Sequence, residues 1–161
     1  MTISIDVEGD TQLIARLEKI GKQASPAMVD IANATAIELQ GNIKRRIARG
    51  SRTGQIYTHY FATIGGRVVA VRPRAKPHQA SAPGEAPKTD GGALVRSIYF
   101  NNAFGSFGAA VATVGSKVVY ALYLEYGTRK IKPRPVWTPE AKKAQVKFIK
   151  RVQSYLDKVT Q

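Results

Sequence analysis

VGSKVVYALYLEYGTRKIKPRPVWTPEA, residues 114–141, is the stretch on which the fold turns. Gly115-Ser116 separates two runs rich in β-branched and aromatic residues, Ala109–Val114 and Val118–Glu125, and both read as strands. In a strand, Tyr120, Leu122, Leu124 and Tyr126 share one face and Ala121, Tyr123 and Glu125 share the other. Bulky side chains on both faces imply burial on both, by the core and by a neighbour. Gly127 then permits a sharp exit. The run Ile131–Val136 is broken by Pro133 and Pro135, which fits a sheet edge. Thr138 caps, and Pro139 opens, a helix that runs to about Val159. Ala141, Ala144, Phe148, Val152, Tyr155, Leu156 and Val159 form its apolar stripe, and lysines cover much of the rest.

Upstream, Asn101–Gly108 is rich in Gly and Asn and reads as a loop, and Leu94–Phe100 is short and apolar. Residues 73–92, PRAKPHQASAPGEAPKTDGG, hold four prolines and almost no large apolar side chain. That composition predicts a long binding arm or linker rather than a core element. Before it, Ile56–Ile64, the turn Gly65-Gly66 and Arg67–Arg72 read as a hairpin. Ser25-Pro26 marks a helix start and Gly50 its stop. Between them Met28, Ile31, Ala32, Thr35, Ala36, Leu39, Ile43 and Ile47 recur at helical spacing. A shorter helix precedes it, capped by Asp10 or Thr11 and ended by Gly21, and Thr2–Val7 alternates as a strand. Helices and strands are segregated, which argues an α+β class: one domain over residues 1–161, with a mostly antiparallel sheet packed on a long helix and a carboxy-terminal helix, and an extended loop at 73–92.

The chain has 161 residues, 25 Lys+Arg against 11 Asp+Glu, and a formal net charge of +14. The excess is localised. Residues 1–39 carry three basic and six acidic side chains, net −3, residues 40–100 are net +9, and residues 101–161 are net +8. Such charge points to an anionic partner: nucleic acid, a membrane surface or an acidic protein. No apolar run is long enough to span a membrane. The opening MTISIDVEGD is acidic and does not read as a secretory signal. With no cysteine and only His59 and His78, neither a disulfide scaffold nor a thiolate or histidine-rich metal site is expected.

Catalysis needs converging titratable groups, and few exist. Glu85 and Asp90 fall in the Pro-rich loop, and Glu140 and Asp157 on a helix surface. Glu125, at an aromatic strand end, reads as a carboxylate paired with a nearby cation, or less simply as a buried acid with a shifted pKa. No serine has a nucleophile-elbow context and no glycine pair has a phosphate-loop register. No catalytic residue, cofactor or metal is assigned. A nonspecific nucleic-acid-binding domain is the alternative reading: Tyr57, His59, Tyr60 and Phe61 interleave with cations across Arg52–Arg74, where bases could stack and phosphates pair. No recognition-helix, zinc-finger or RNA-recognition signature accompanies them.

Three segments in order resemble a known family: GQIYTHY (54–60) after a basic helix end, HQASAPGEAPKTDGGALVRSI (78–98), and VGSKVVYALYLEYGTRKIKPRPVWTPEA (114–141). Together they resemble the tailed-bacteriophage neck and tail-completion proteins, the gene-product-ten-like minor structural proteins of lambdoid siphophages. The family's "ASAPGEAP…GxLxxSI" is matched by Ala80–Pro87, then Gly92, Leu94, Ser97 and Ile98. Its "YAxYxExGT…RPF…PA" is matched by Tyr120, Ala121, Tyr123, Glu125, Gly127, Thr128, Arg134 and Pro135. Val136-Trp137 stands where the family has Phe, and Pro139-Glu140-Ala141 stretches its "PA". The likeness covers about residues 40–145.

The resemblance implies a structural protein of the virion, assembled in the host cytoplasm. It implies a homo-oligomeric ring, sixfold by expectation, at the head–tail junction. Its partners would be the connector or head-closure proteins and the tail-terminator or tail-tube proteins, with double-stranded DNA passing through the lumen. Contacts in such a ring are head-to-tail and close by rotation. Candidate contact residues are Lys44, Arg45, Arg46 and Arg49, four cations in six residues and more than a helix dipole needs. Within the loop they are His78, Pro83, Glu85 and Pro87. In the last segment they are Tyr123, Glu125, Tyr126, Arg134 and Trp137. The cations are expected to serve protein docking outside the lumen, because a cationic bore would hold DNA back.

Overall fold

The computed structural model describes residues 11–51, 53–106 and 109–159; the strand expected at Thr2–Val7 lies outside them. The order is α1 (Thr11–Ala48), β1 (Ile56–Ile64), β2 (Arg67–Gln79), α2 (Ala93–Ser97), β3 (Ile98–Ser106), β4 (Ala109–Ser116), α3 (Tyr120–Tyr126) and α4 (Trp137–Val159). The class is α+β, and the strands form two separate antiparallel pairs, β1–β2 and β3–β4.

α1 is one helix of 38 residues, about 57 Å at 1.5 Å per residue, where the sequence suggests two. Gly21 and Pro26, read as a stop and a start, both lie inside it. Proline in a helix interior removes one backbone bond and costs about 3 kcal/mol. Local propensity of that size yields to helix continuity and to tertiary anchoring further along. The anchoring is the predicted stripe: Ala32, Ala36, Ile43 and Ile47 are buried, the last two completely. Asn33 Oδ1 accepts the Ala103 backbone N–H at 2.6 Å, and Gln40 Nε2 donates to the Ile98 carbonyl at 3.0 Å. Those two bonds fix β3 along α1.

β3 runs through residues 101–106, which composition marks as a loop. The register shifts between Asn101 and Phe104, a bulge that frees backbone groups from the ladder, and Asn33 takes up one of them. α4 lies antiparallel to α1. Arg46 pairs with Glu140 at 2.7 Å, Glu38 pairs with Lys147, and Arg151 reaches both Glu38 and Thr35 at 2.8 Å. Ala144, Phe148, Val152 and Tyr155 of the predicted α4 stripe are half-buried, whereas Ala141, Leu156 and Val159 are exposed.

Residues 120–126 form a helix, not the expected strand. In a helix Ala121 and Glu125 are one turn apart, so both reach the core side, and both are buried. Leu124 packs against the same core. Tyr120, Leu122, Tyr123 and Tyr126 are left exposed. The strand reading required cover on both faces; a short helix buries its two small or polar-handled residues and needs cover on one side only. The Gly127 N–H closes the helix on the Tyr123 carbonyl at 2.9 Å. Residues 127–136 form no strand, since the Pro133 and Pro135 nitrogens cannot donate to a ladder. The core joins Ile43 and Ile47 of α1 to Ala86, Leu94, Ile98, Ala121 and Val136.

Candidate assembly interface

The segments quoted above for their motifs meet in space. Arg134 Nε donates to the Ser81 carbonyl at 3.2 Å, the Arg134 N–H to the Leu124 carbonyl at 2.6 Å, and the Gly84 N–H to the Pro133 carbonyl at 2.9 Å. Glu85 accepts from the Ala82 N–H at 2.7 Å and from the Thr53 hydroxyl. The Thr53 bond and the Ala82 bond hold its carboxyl below the usual range, with the nearby Arg134 charge adding to them. At β1's entry the Gly54 N–H donates to the Ala80 carbonyl at 3.0 Å, and the Ala80 N–H donates to the Gln55 carbonyl at 2.9 Å. A Cβ on Gly54 would sit 2.5 Å from the Ser81 carbonyl oxygen, so only glycine permits this approach.

The loop read over 73–92 is therefore corrected at its amino-terminal end and in its nature. Residues 73–79 belong to β2, with His78 opposite Tyr57 at the hairpin base. Ala86 is part of the core, and Ser81 and Pro87 are buried with it. Small side chains are used here because two backbones approach closely, a kind of packing that a scan for large apolar residues overlooks. Of the loop candidates, Pro83 is exposed, Glu85 and His78 are half-buried and Pro87 is buried.

Glu125 is 6% exposed and pairs with no cation among the described residues. Its Oε2 accepts the N–H groups of Val136 at 2.7 Å and Trp137 at 2.9 Å, and its Oε1 accepts that of Thr138 at 2.8 Å. These are the unpaired donors of the α4 amino terminus, so Glu125 caps a helix eleven residues away in sequence. Burial opposes its ionisation. The Thr138 side chain and the three backbone donors outweigh that, and the carboxyl titrates below the usual range. Its part is to lock α3 to α4, and the ion pair expected from sequence is replaced by a cap.

The cations at the end of α1 separate in role. Arg46 is drawn into the interior edge by Glu140, which also holds Lys143 at 3.0 Å. Burial disfavours the Glu140 carboxylate, but the bonds from Arg46 and Lys143 prevail and lower its pKa. Arg45 bonds Asn42 at 2.6 Å on the surface, Lys44 is half-buried, and Arg49 is exposed. Arg134 is half-buried and structural in its bonds, and Trp137 packs against the core. Tyr123 and Tyr126 are exposed.

Among the described residues, two of the exposed apolar surfaces bear on assembly. One is the β1–β2 hairpin, where Ile56, Phe61, Ile64, Val68 and Val71 are each at least half exposed. Successive strand residues point to opposite faces, so Ile64 with Val69 and Phe61 with Val68 leave both faces of the hairpin apolar. Sequence reading located this hairpin but not its exposure; the signal was there in apolar residues on both sides of Gly65-Gly66. Near its base, Arg72 and Arg74 lie over the Tyr60 ring at 4.4 and 4.1 Å, and Arg74 pairs with Asp90 at 2.7 Å. That ring is thus already stacked, which removes it from the base-stacking ribbon read in the sequence. The second surface is the outer side of α3.

A family model described as "Bacteriophage HK97-gp10, putative tail-component" matches residues 11–127. The chain belongs to this HK97-gp10-like family of phage tail components. No curated protein and no solved structure matches it. The matched span runs from the first turn of α1 to Gly127, so it takes in the whole α1–β4 body and α3. Membership makes this tail component a structural protein of the phage particle, one that assembles with other phage structural proteins. None of its described helices is long and apolar enough to cross a membrane.

Proposed function

We propose that the protein is a ring-forming subunit of the head–tail junction, a neck or tail-completion protein that joins the connector to the tail and leaves a bore for DNA. The single observation that supports this best is the β1–β2 hairpin. An isolated two-stranded hairpin is marginally stable in water. This one carries large apolar side chains on both faces, with Ile64 63% and Val68 71% exposed beside the turn. Contiguous exposed apolar surface of this kind marks a protein contact. A neighbour in a closed ring supplies cover that the described residues do not, and an arm reaching from one subunit onto the next gives the head-to-tail contact that rotation closes. Six subunits is the expected number, from the family resemblance.

The test is the mass of the purified protein in solution and its appearance in negative-stain electron microscopy. Closed rings are expected. The double variant Ile64→Asp/Val68→Asp should remain folded, because both side chains are already in water, and should be monomeric. A wild-type protein that stays monomeric at high concentration, alone and with connector or tail proteins, refutes the reading.

A further inference from the structure

We infer that the outer face of α3 and the groove beside it bind an acidic segment of a different protein, with apolar side chains at its centre and carboxylates around them. The inference rests on the assembly reading above and names the chemistry of one partner. Val119, Leu122 and Tyr126, three and four residues apart, lie along one side of α3 and are 71%, 57% and 70% exposed. They form one wall of a groove of about 390 Å³, which is also lined by Val114, Val118 and Trp137.

Besides Glu125, the one charged side chain in the lining is a lysine, and three more cations follow Tyr126 in the chain. Lys117 lines the groove, and Arg129, Lys130 and Lys132 are exposed in the turn that leaves Tyr126. The one carboxylate in the lining is Glu125, whose two oxygens are both taken by backbone N–H groups of α4. Among the described carboxylates, Asp30 and Asp157 are exposed, on α1 and near the far end of α4, and the others are committed within the chain. Glu38, Asp90 and Glu140 are ion-paired within the chain and Glu85 is hydrogen-bonded within it.

Charge therefore selects the occupant. Docked face to face, a second copy would set Lys117, Arg129, Lys130 and Lys132 against their own counterparts. A bare polyanion such as DNA would satisfy the cations and leave Leu122 and Tyr126 in water. A segment with apolar side chains flanked by carboxylates satisfies both, as complementary interfaces do. Trp137 is the sole tryptophan of the chain and stands in the groove, so its emission reports occupancy.

The probes are three synthetic amphipathic peptides with the same Leu/Phe stripe, flanked throughout by Glu, Gln or Lys, and a short DNA duplex. Each is titrated into the full chain while Trp137 fluorescence and peptide anisotropy are read. The Glu peptide should bind about tenfold or more tighter than the Gln peptide, with an affinity that falls as salt rises, and the Lys peptide should bind least. Leu122→Ser/Tyr126→Ser and Lys117→Glu/Lys130→Glu should each weaken the Glu peptide by about tenfold without moving the melting temperature, since these side chains are at the surface. The hairpin variant Ile64→Asp/Val68→Asp should leave peptide affinity unchanged, so loss of rings and loss of docking are read apart. Equal affinity for the three peptides, displacement of the Glu peptide by the DNA duplex, or indifference to the α3 substitutions overturns the inference.

Discussion

Replacing Glu125 by alanine should produce one of the largest single losses of stability available in this chain. The carboxylate accepts three backbone N–H bonds at 2.7–2.9 Å from Val136, Trp137 and Thr138. Val136 is 1% exposed, so its N–H has no water to turn to once the acceptor is gone. Leaving a buried donor unsatisfied costs about 1–3 kcal/mol, and losing a helix amino-terminal cap costs about 1 kcal/mol more. Trp137 and Thr138 are less buried and recover part of their loss from solvent. The expected total is about 3–4 kcal/mol, a large fraction of the 5–15 kcal/mol typical of a folded domain. For a chain of this size that lowers the melting temperature by about 10 °C.

Glu125→Gln sharpens the measurement. An amide oxygen in the Oε2 position keeps the bonds to Val136 and Trp137, while its NH₂ faces the Thr138 N–H and the charge is lost. Its expected cost is about 1–2 kcal/mol, on the scale of a single charge-assisted bond. The assay is urea unfolding followed by Trp137 fluorescence, at pH 7 and at successively lower pH. A carboxyl whose folded pKa is depressed stabilises the fold above its unfolded pKa, about 4.3, and that contribution fades as pH falls through the folded value. The gap between wild type and Glu125→Gln should thus be full at pH 7 and close progressively below about pH 4. A loss under 1 kcal/mol for Glu125→Ala, or a Glu125→Gln gap that is constant with pH, refutes the capping argument.

Other substitutions follow from the same packing. Gly54→Ala should destabilise by about 1–3 kcal/mol in thermal melts, because the new methyl would lie 2.5 Å from the Ser81 carbonyl oxygen and must displace backbone. Ile47→Ala, at a fully buried position in the centre of the core, should cost about 2–5 kcal/mol by chemical denaturation. Arg49→Ala, exposed at the end of α1, should leave the unfolding midpoint within about 0.5 kcal/mol, in contrast to Arg46→Ala, which strips Glu140 of a bonded partner and should cost measurably more.

Periodicity located the buried faces of the long helices, though not the continuity of α1 through Gly21 and Pro26. The stripe Ala32, Ala36, Ile43 and Ile47 identifies the buried face of α1, and Thr138-Pro139 places the start of α4 to within two residues, although Thr138 lies inside the helix and Glu125 is its cap. The Gly65-Gly66 turn likewise fixed the β1–β2 hairpin. The ordered motifs at 54–60, 78–98 and 114–141 determined the family. Only the tertiary structure decided what residues 120–126 are. Their apolar content fits a strand or a helix equally, and the choice falls to the amino terminus of α4, whose unpaired N–H groups draw Glu125 inward from a helix. It also decided that the Ala/Ser/Pro/Gly segment packs inside, since small residues reveal a close backbone approach only once the second backbone is in place. The exposure of the hairpin and of the α3 face is a matter of what the other described residues leave uncovered, and that too belongs to three dimensions. Composition supplied the +14; the structure showed that Glu38, Glu85, Asp90, Glu125 and Glu140 are committed within the chain.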